Sequence, residues 1–165
     1  MRVVPIKLAP RLRSFDYLGR YRYSVTICVE RRDRVFISET AVGPVRTQLA
    51  RTSANADVAV IAYCFMPDHL HLVLEGVSDR ADFREFMRVF KQRSSFHWKQ
   101  RHSRELWQRG YFDHVLRDDD DTIVAARYVL GNPVRAGMVA RPEDYPFLGS
   151  LTMHLRDLLY SVVEY

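Results

Sequence analysis

Met66-Pro67-Asp68-His69-Leu70-His71-Leu72-Val73-Leu74 follows an apolar run, Val58 to Phe65, and Pro67-Asp68 interrupts the run as a turn does. Apolar segments on both sides of that break predict a hairpin whose second strand opens with two histidines. Successive side chains of an extended chain point to opposite faces. His69 and His71 therefore share one face, and Leu70, Leu72 and Leu74 the other. Two imidazoles a few ångströms apart are able to hold one divalent metal ion. A bare His-x-His is more often the solvated face of an amphipathic strand, so the pattern carries chemistry only in company.

On the N-terminal side, residues 1–20 read as a basic arm, with Lys7, Arg11, Arg13 and Arg20 among apolar residues and loop formers. Such an arm suits a phosphate backbone, and equally a solvated tail. Tyr21 to Val29 predicts the first strand, with Tyr21, Tyr23, Val25, Ile27 and Val29 on one face. Arg31, Arg32 and Arg34 make a basic turn after it. Val42, Val45, Leu49 and Thr52 recur at helical spacing and predict a helix over Glu39 to Ser53, with Gly43-Pro44 unsettling its start.

On the C-terminal side, Ser78 or Asp79 is the expected cap of a helix running to about Arg101, with Phe83, Phe86, Met87 and Phe90 as its buried stripe. Arg84, Arg88 and Lys91 line another face, and Arg93 adds a further phosphate donor. They are either DNA-backbone contacts or an ordinary solvated face. Trp98 belongs to the core by expectation. Phe112 to Arg117 predicts a strand with Phe112, His114 and Leu116 on one face. Asp118 to Asp121 then sits where a helix should begin, because negative charge is favourable at that end of the dipole. That helix spans about Thr122 to Leu130, stopped by Gly131 and Asn132-Pro133, and Tyr128 and Asn132 share a face four residues apart. Residues 21–150 are expected to form the main domain. Residues 151–165 are the tail, helical from the spacing of Leu155, Leu158, Leu159 and Val162.

A chain of 165 residues with 47% hydrophobic and 27% charged content fits one soluble domain with a real core. No apolar run approaches a membrane span and Met1 to Pro5 lacks a secretory core, so the expected place is the cytoplasm, without membrane contact. Cys28 and Cys64 lie inside strand-like apolar runs as reduced, buried thiols, not a zinc site. The net charge of +5 comes mostly from arginine, whose planar fork suits phosphate; alone this raises the case for a nucleic-acid partner only modestly.

Trp107-Gln108-Arg109-Gly110-Tyr111-Phe112-Asp113-His114 and Ala126-Arg127-Tyr128-Val129-Leu130-Gly131-Asn132-Pro133-Val134-Arg135-Ala136-Gly137 follow the histidine strand in that order. With these motifs the chain resembles the REP-associated tyrosine transposases, relatives of the single-tyrosine HUH transposases of insertion sequences, from about Pro10 to about Phe147. The element order alone suggests an α+β structure. The resemblance sharpens it to a ferredoxin-like antiparallel sheet with helices packed on it, the histidine strand central and the Tyr128 helix beside it.

The resemblance implies a transposase-like endonuclease that cleaves and rejoins single-stranded DNA at the foot of a hairpin, through a phosphotyrosine on the 5′ side. Tyr128 would be the nucleophile, and His69, His71 and Asn132 the ligands of magnesium or manganese. Two imidazoles and an amide are softer than magnesium's usual oxygen ligands, and by themselves suggest zinc or manganese. Insertion-sequence relatives have glutamine where Asn132 stands; asparagine matches the REP-associated branch. Tyr111 is a rival nucleophile. Asp113 and His114 orient the site, contact DNA, or form a structural pair. The REP-associated branch is expected to act as monomers, the insertion-sequence relatives as dimers that swap tyrosine helices. Two other readings stay open: a hairpin-binding protein without catalysis, and a phosphoesterase that uses water and has no need of Tyr128.

Overall fold

The computed structural model describes residues 14–163. Arg11 and Arg13 lie outside the described residues. Strands β1 (Arg22–Cys28), β2 (Val58–Met66), β3 (His69–Gly76), β4 (Phe112–Leu116) and β5 (Leu148–Gly149) form one sheet in the order β4-β1-β3-β2-β5, antiparallel throughout. The chain runs β1-α1-β2-β3-α2-β4 in the ferredoxin-like order, and the histidine strand β3 is central, as expected. The two-residue β5 is an addition that no periodicity announced.

Helices α1 (Glu39–Asn55) and α2 (Phe83–His102) cover one face of the sheet, where Leu70, Leu72 and Leu74 meet Val45, Leu49, Phe86 and Phe90. Helix α3 (Asp119–Leu130) and helix α5 (Leu155–Val163) cover part of the other, with Ala126, Val129, Leu130 and Leu158 packed near Cys64, Met66 and Val73. A strand buried on both sides reads as a near-continuous apolar run, and that is why Leu70 to Leu74 lost the clean alternation of an edge strand. Each of those leucines, fully buried, contributes about 1.5–3 kcal/mol. In β2 the pairing register shifts between Val60 and Ala62. The irregularity lets Val60, Tyr63 and Phe65 all face α1 and α2, while Ala62, Cys64 and Met66 face α3.

Several boundaries differ from expectation for local reasons. The cap of α2 is Asp82, whose carboxylate accepts the Glu85 N–H at 2.9 Å, rather than Ser78 or Asp79. Such a cap contributes about 1 kcal/mol. Helix α3 starts at Asp119, three residues before Thr122, because Asp118 accepts the Asp121 N–H at 2.8 Å and Asp121 in return accepts the Arg117 N–H at 3.1 Å. The acidic run is thus a cap. Gly131 does not stop the chain in a left-handed turn. It stays right-handed (φ −81°, ψ −6°), and a short helix α4 (Asn132–Arg135) follows, with Pro133 tolerated in its first turn.

Candidate functional site

The turn between β2 and β3 is pinned from outside. Pro67's carbonyl accepts the N–H groups of Val35 and Phe36 at 2.8 and 3.0 Å, and Asp68's carbonyl accepts that of Val29 at 3.0 Å. Pinning the backbone fixes the Asp68 carboxylate, whose Oδ1 lies 2.5 Å from His69 Nδ1 and whose Oδ2 pairs with Arg32 Nε at 2.9 Å. Arg31 and Arg32 both take left-handed backbone, φ 58° and 57°. That conformation is costly for a residue with a side chain, and here it delivers Arg32 to Asp68 and, at 2.8 Å, to Cys28 Sγ.

His71 is served from the neighbouring strand. Thr26 is its cross-strand partner, with Oγ1 2.9 Å from His71 Nδ1. Both Nδ1 atoms are therefore engaged outward, and the two Nε2 atoms face each other 3.0 Å apart, the rings perpendicular. A carboxylate on Nδ1 holds the proton there and leaves Nε2 as a lone pair, the usual support of a metal-binding histidine. Burial lowers the His71 pKa to about 3, helped by neighbouring His69 and Arg135. Burial also lowers that of His69, opposed by Asp68. Burial alone would raise Asp68, but its hydrogen bond to His69 and the Arg32 charge hold it below the usual carboxylate range. Both imidazoles are thus neutral near pH 7.

Helix α3 brings Tyr128 beside His71. Its ring meets that of His71 edge-on, with 5.9 Å between centroids. The Arg135 guanidinium lies 4.2 Å over the Tyr128 ring centroid, donates to the Tyr128 carbonyl, and donates to Asn132 Oδ1 at 2.9 Å. Asn132 Nδ2 is buried with no hydrogen-bond partner among the described residues. Asn132 is therefore held by α4 beside the tyrosine, with its oxygen turned to Arg135.

The donor set fits a divalent cation in two of its members. The Nε2 atoms of His69 and His71 stand at the separation that two nitrogen ligands about 2.1 Å from one ion and at right angles would have. The Asn132 oxygen is engaged by Arg135 instead. Among the described residues no group of three or more His, Cys, Asp or Glu side chains is placed to hold a metal.

Other sequence candidates lie elsewhere. Tyr111 packs with its ring 5.9 Å from Phe83, in the aromatic layer under α2, and Lys91 Nζ lies 6.0 Å from its centroid. Asp113 is buried and pairs with Val25, whose side chain joins that same layer. His114 is exposed and pairs with Ser24 on the histidine face. The basic residues of α2 are on the face away from the histidines. Arg84 lies over the Tyr17 ring, Arg88 is clasped by Glu85 and Gln92, and Arg93 is exposed. Lys91 donates to the carbonyls of Gln108, at 2.8 Å, and of Gly110. Lys91→Met is expected to destabilise the fold by about 1–2 kcal/mol, read as a lower Tm, since it leaves two carbonyls without their charged donor.

Thr26, Arg32, Asp68 and Arg135 hold the candidate residues in place and were not singled out for it by sequence. Asp68 was the findable one, adjacent to His69. The other three needed strand register or turn geometry.

A central histidine strand with the Tyr128 helix beside it is the layout that the resemblance implied. The chain belongs to the family described as "Transposase IS200 like", whose model matches residues 18–132. It is 26% identical over 146 residues to a putative REP-associated tyrosine transposase of Haemophilus influenzae, covering 82% of this chain and 81% of that one. A REP-associated tyrosine transposase of Escherichia coli is 23% identical over 133 residues, 78% and 74% of the two chains. Among solved structures, a REP-associated tyrosine transposase bound to a REP hairpin superposes with a TM-score of 0.72 at 20% identity, over 85% of this chain and 82% of that one. A putative transposase from Deinococcus radiodurans gives 0.51 at 20% identity, over 75% and 97%. No helix among the described residues is long and apolar enough to cross a membrane.

Proposed function

We propose that this protein cleaves and rejoins single-stranded DNA beside REP-like hairpins, with Tyr128 as nucleophile. The observation that carries the reading is the approach of the Tyr128 ring to His71, a nucleophile and a cation-binding pair on one face of the sheet. The Tyr128 oxygen attacks phosphorus, the 3′ oxygen leaves, and the bond energy is kept in a 5′-phosphotyrosine for rejoining. A magnesium or manganese ion held by His69 and His71, with Asn132 as a third ligand, would supply positive charge to the scissile phosphate. Arg135 orients the tyrosine and releases Asn132. The basic arm with Arg11 and Arg13, and the α2 residues Arg84, Arg88 and Arg93, are candidates for backbone contacts to the hairpin stem.

Incubating the protein with end-labelled hairpin DNA and manganese, then resolving it under denaturing conditions, tests the reading. A shifted, protease-sensitive band is expected. Product without an adduct would indicate attack by water, and neither product nor adduct would indicate a binding protein.

Asp68→Asn is expected to reduce manganese affinity and adduct yield by about 10–100-fold, the usual effect of losing the group that orients a ligand histidine. Titrating manganese in both proteins reads this directly. A variant that matched wild type would remove Asp68 from the site.

A further inference from the structure

Helix α3 lies over β2 and β3, so the β1 and β4 half of that sheet face is more open. Its side chains there include Ser24, Thr26, Phe112 and His114. Phe112 pairs with Thr26, and Thr26 pairs with His71. All three point the same way, which places Phe112 two strands out from His71, about 10 Å across the sheet. Phe112 is 48% exposed. Single exposed apolar residues are ordinary. This one stands on the face of the proposed chemistry and beside a cleft of ≈ 270 Å³ lined by Cys28 and residues 108–112. The lining holds no acidic side chain and includes the exposed Arg109. Gly110, at φ +79° and with open space where a Cβ would be, forms the bend of the cleft's loop, which Lys91 ties down.

We propose that Phe112 is a stacking platform for one unpaired base of the single-stranded DNA flanking the scissile phosphate, with the adjoining sugar-phosphate in the cleft against Arg109. An aromatic ring on an open sheet face next to positive charge is the general chemistry of single-strand binding: stacking accepts any base and the cation tracks the backbone. The cleft is at the small end of ligand pockets, which suits one nucleotide. The inference rests on the proposed function and adds to it the residue that holds the strand outside the hairpin.

The test compares a blunt hairpin with the same hairpin carrying single-stranded flanks, bound to the full-length protein. Phe112→Ala is expected to weaken binding of the flanked DNA by about tenfold or more, to leave the blunt hairpin unaffected, and Phe112→Trp to restore the difference. 2-Aminopurine placed in turn at each flank position should be quenched at one position by wild type and not by Phe112→Ala. Equal affinity of wild type and Phe112→Ala for flanked DNA, with hairpin binding intact, overturns the platform and leaves the proposed function standing. Loss of concentration-dependent self-association in Phe112→Ala, with no change in flank binding, overturns it in favour of contact between copies. Failure of wild type to bind either DNA removes the proposed function, and this inference with it.

Discussion

Tyr128→Phe is expected to lower the yield of covalent protein–DNA adduct by at least about 1,000-fold, because no other oxygen at that position can form the phosphotyrosine. Hairpin binding should be unchanged. The substitution removes one hydroxyl from a half-buried side chain and keeps the ring that Arg135 covers and that meets His71. Its effect on stability should accordingly stay within about 0.5 kcal/mol, as for most changes outside a packed or hydrogen-bonded core. Equal melting curves beside unequal adduct yields would assign the loss to chemistry. Undiminished adduct would move the nucleophile elsewhere, and the parallel variant Tyr111→Phe is the control. Tyr111 packs against Phe83 in the layer under α2, so that variant is expected to retain the adduct.

What was legible in the sequence was whatever follows from period and local chemistry. Alternation put His69 and His71 on one face and the leucines on the other, and β3 has that arrangement. The stripe of Phe83, Phe86, Met87 and Phe90 gave α2 its buried side. What stayed hidden depends on contacts distant in sequence. Thr26 meets His71 because β1 and β3 pair in one register, 45 residues apart. Arg135 reaches Tyr128 because Gly131 keeps helical backbone where a stop was expected, which carries the next turn back over the ring. The spacing of Arg84, Arg88 and Lys91 gave a correct helical row but not its partners; Lys91 serves the loop that precedes β4.

The second large effect concerns the histidines and asks which chain supplies them. His71→Ala removes one of two converging nitrogens and is expected to cut adduct formation at least about 100-fold, with manganese affinity falling in parallel. Mixing His71→Ala with Tyr128→Phe then distinguishes two architectures. In a dimer that exchanges tyrosine helices, half the molecules would be mixed, each would rebuild one intact site, and roughly a quarter of wild-type activity would return. No return is expected here. One residue, Arg117, separates β4 from the Asp118 cap of α3, and Asp119 at the start of the helix pairs with Arg22 of the same sheet. Beyond α4 the chain is fastened to that sheet again. Tyr145 donates its hydroxyl to the Phe65 carbonyl at 2.7 Å, the Phe65 N–H is bonded to the Phe147 carbonyl at 2.8 Å, and β5 pairs with β2. A helix anchored to its own sheet before and after Tyr128 has little slack for exchange, so the tyrosine is expected to serve the histidines of its own chain.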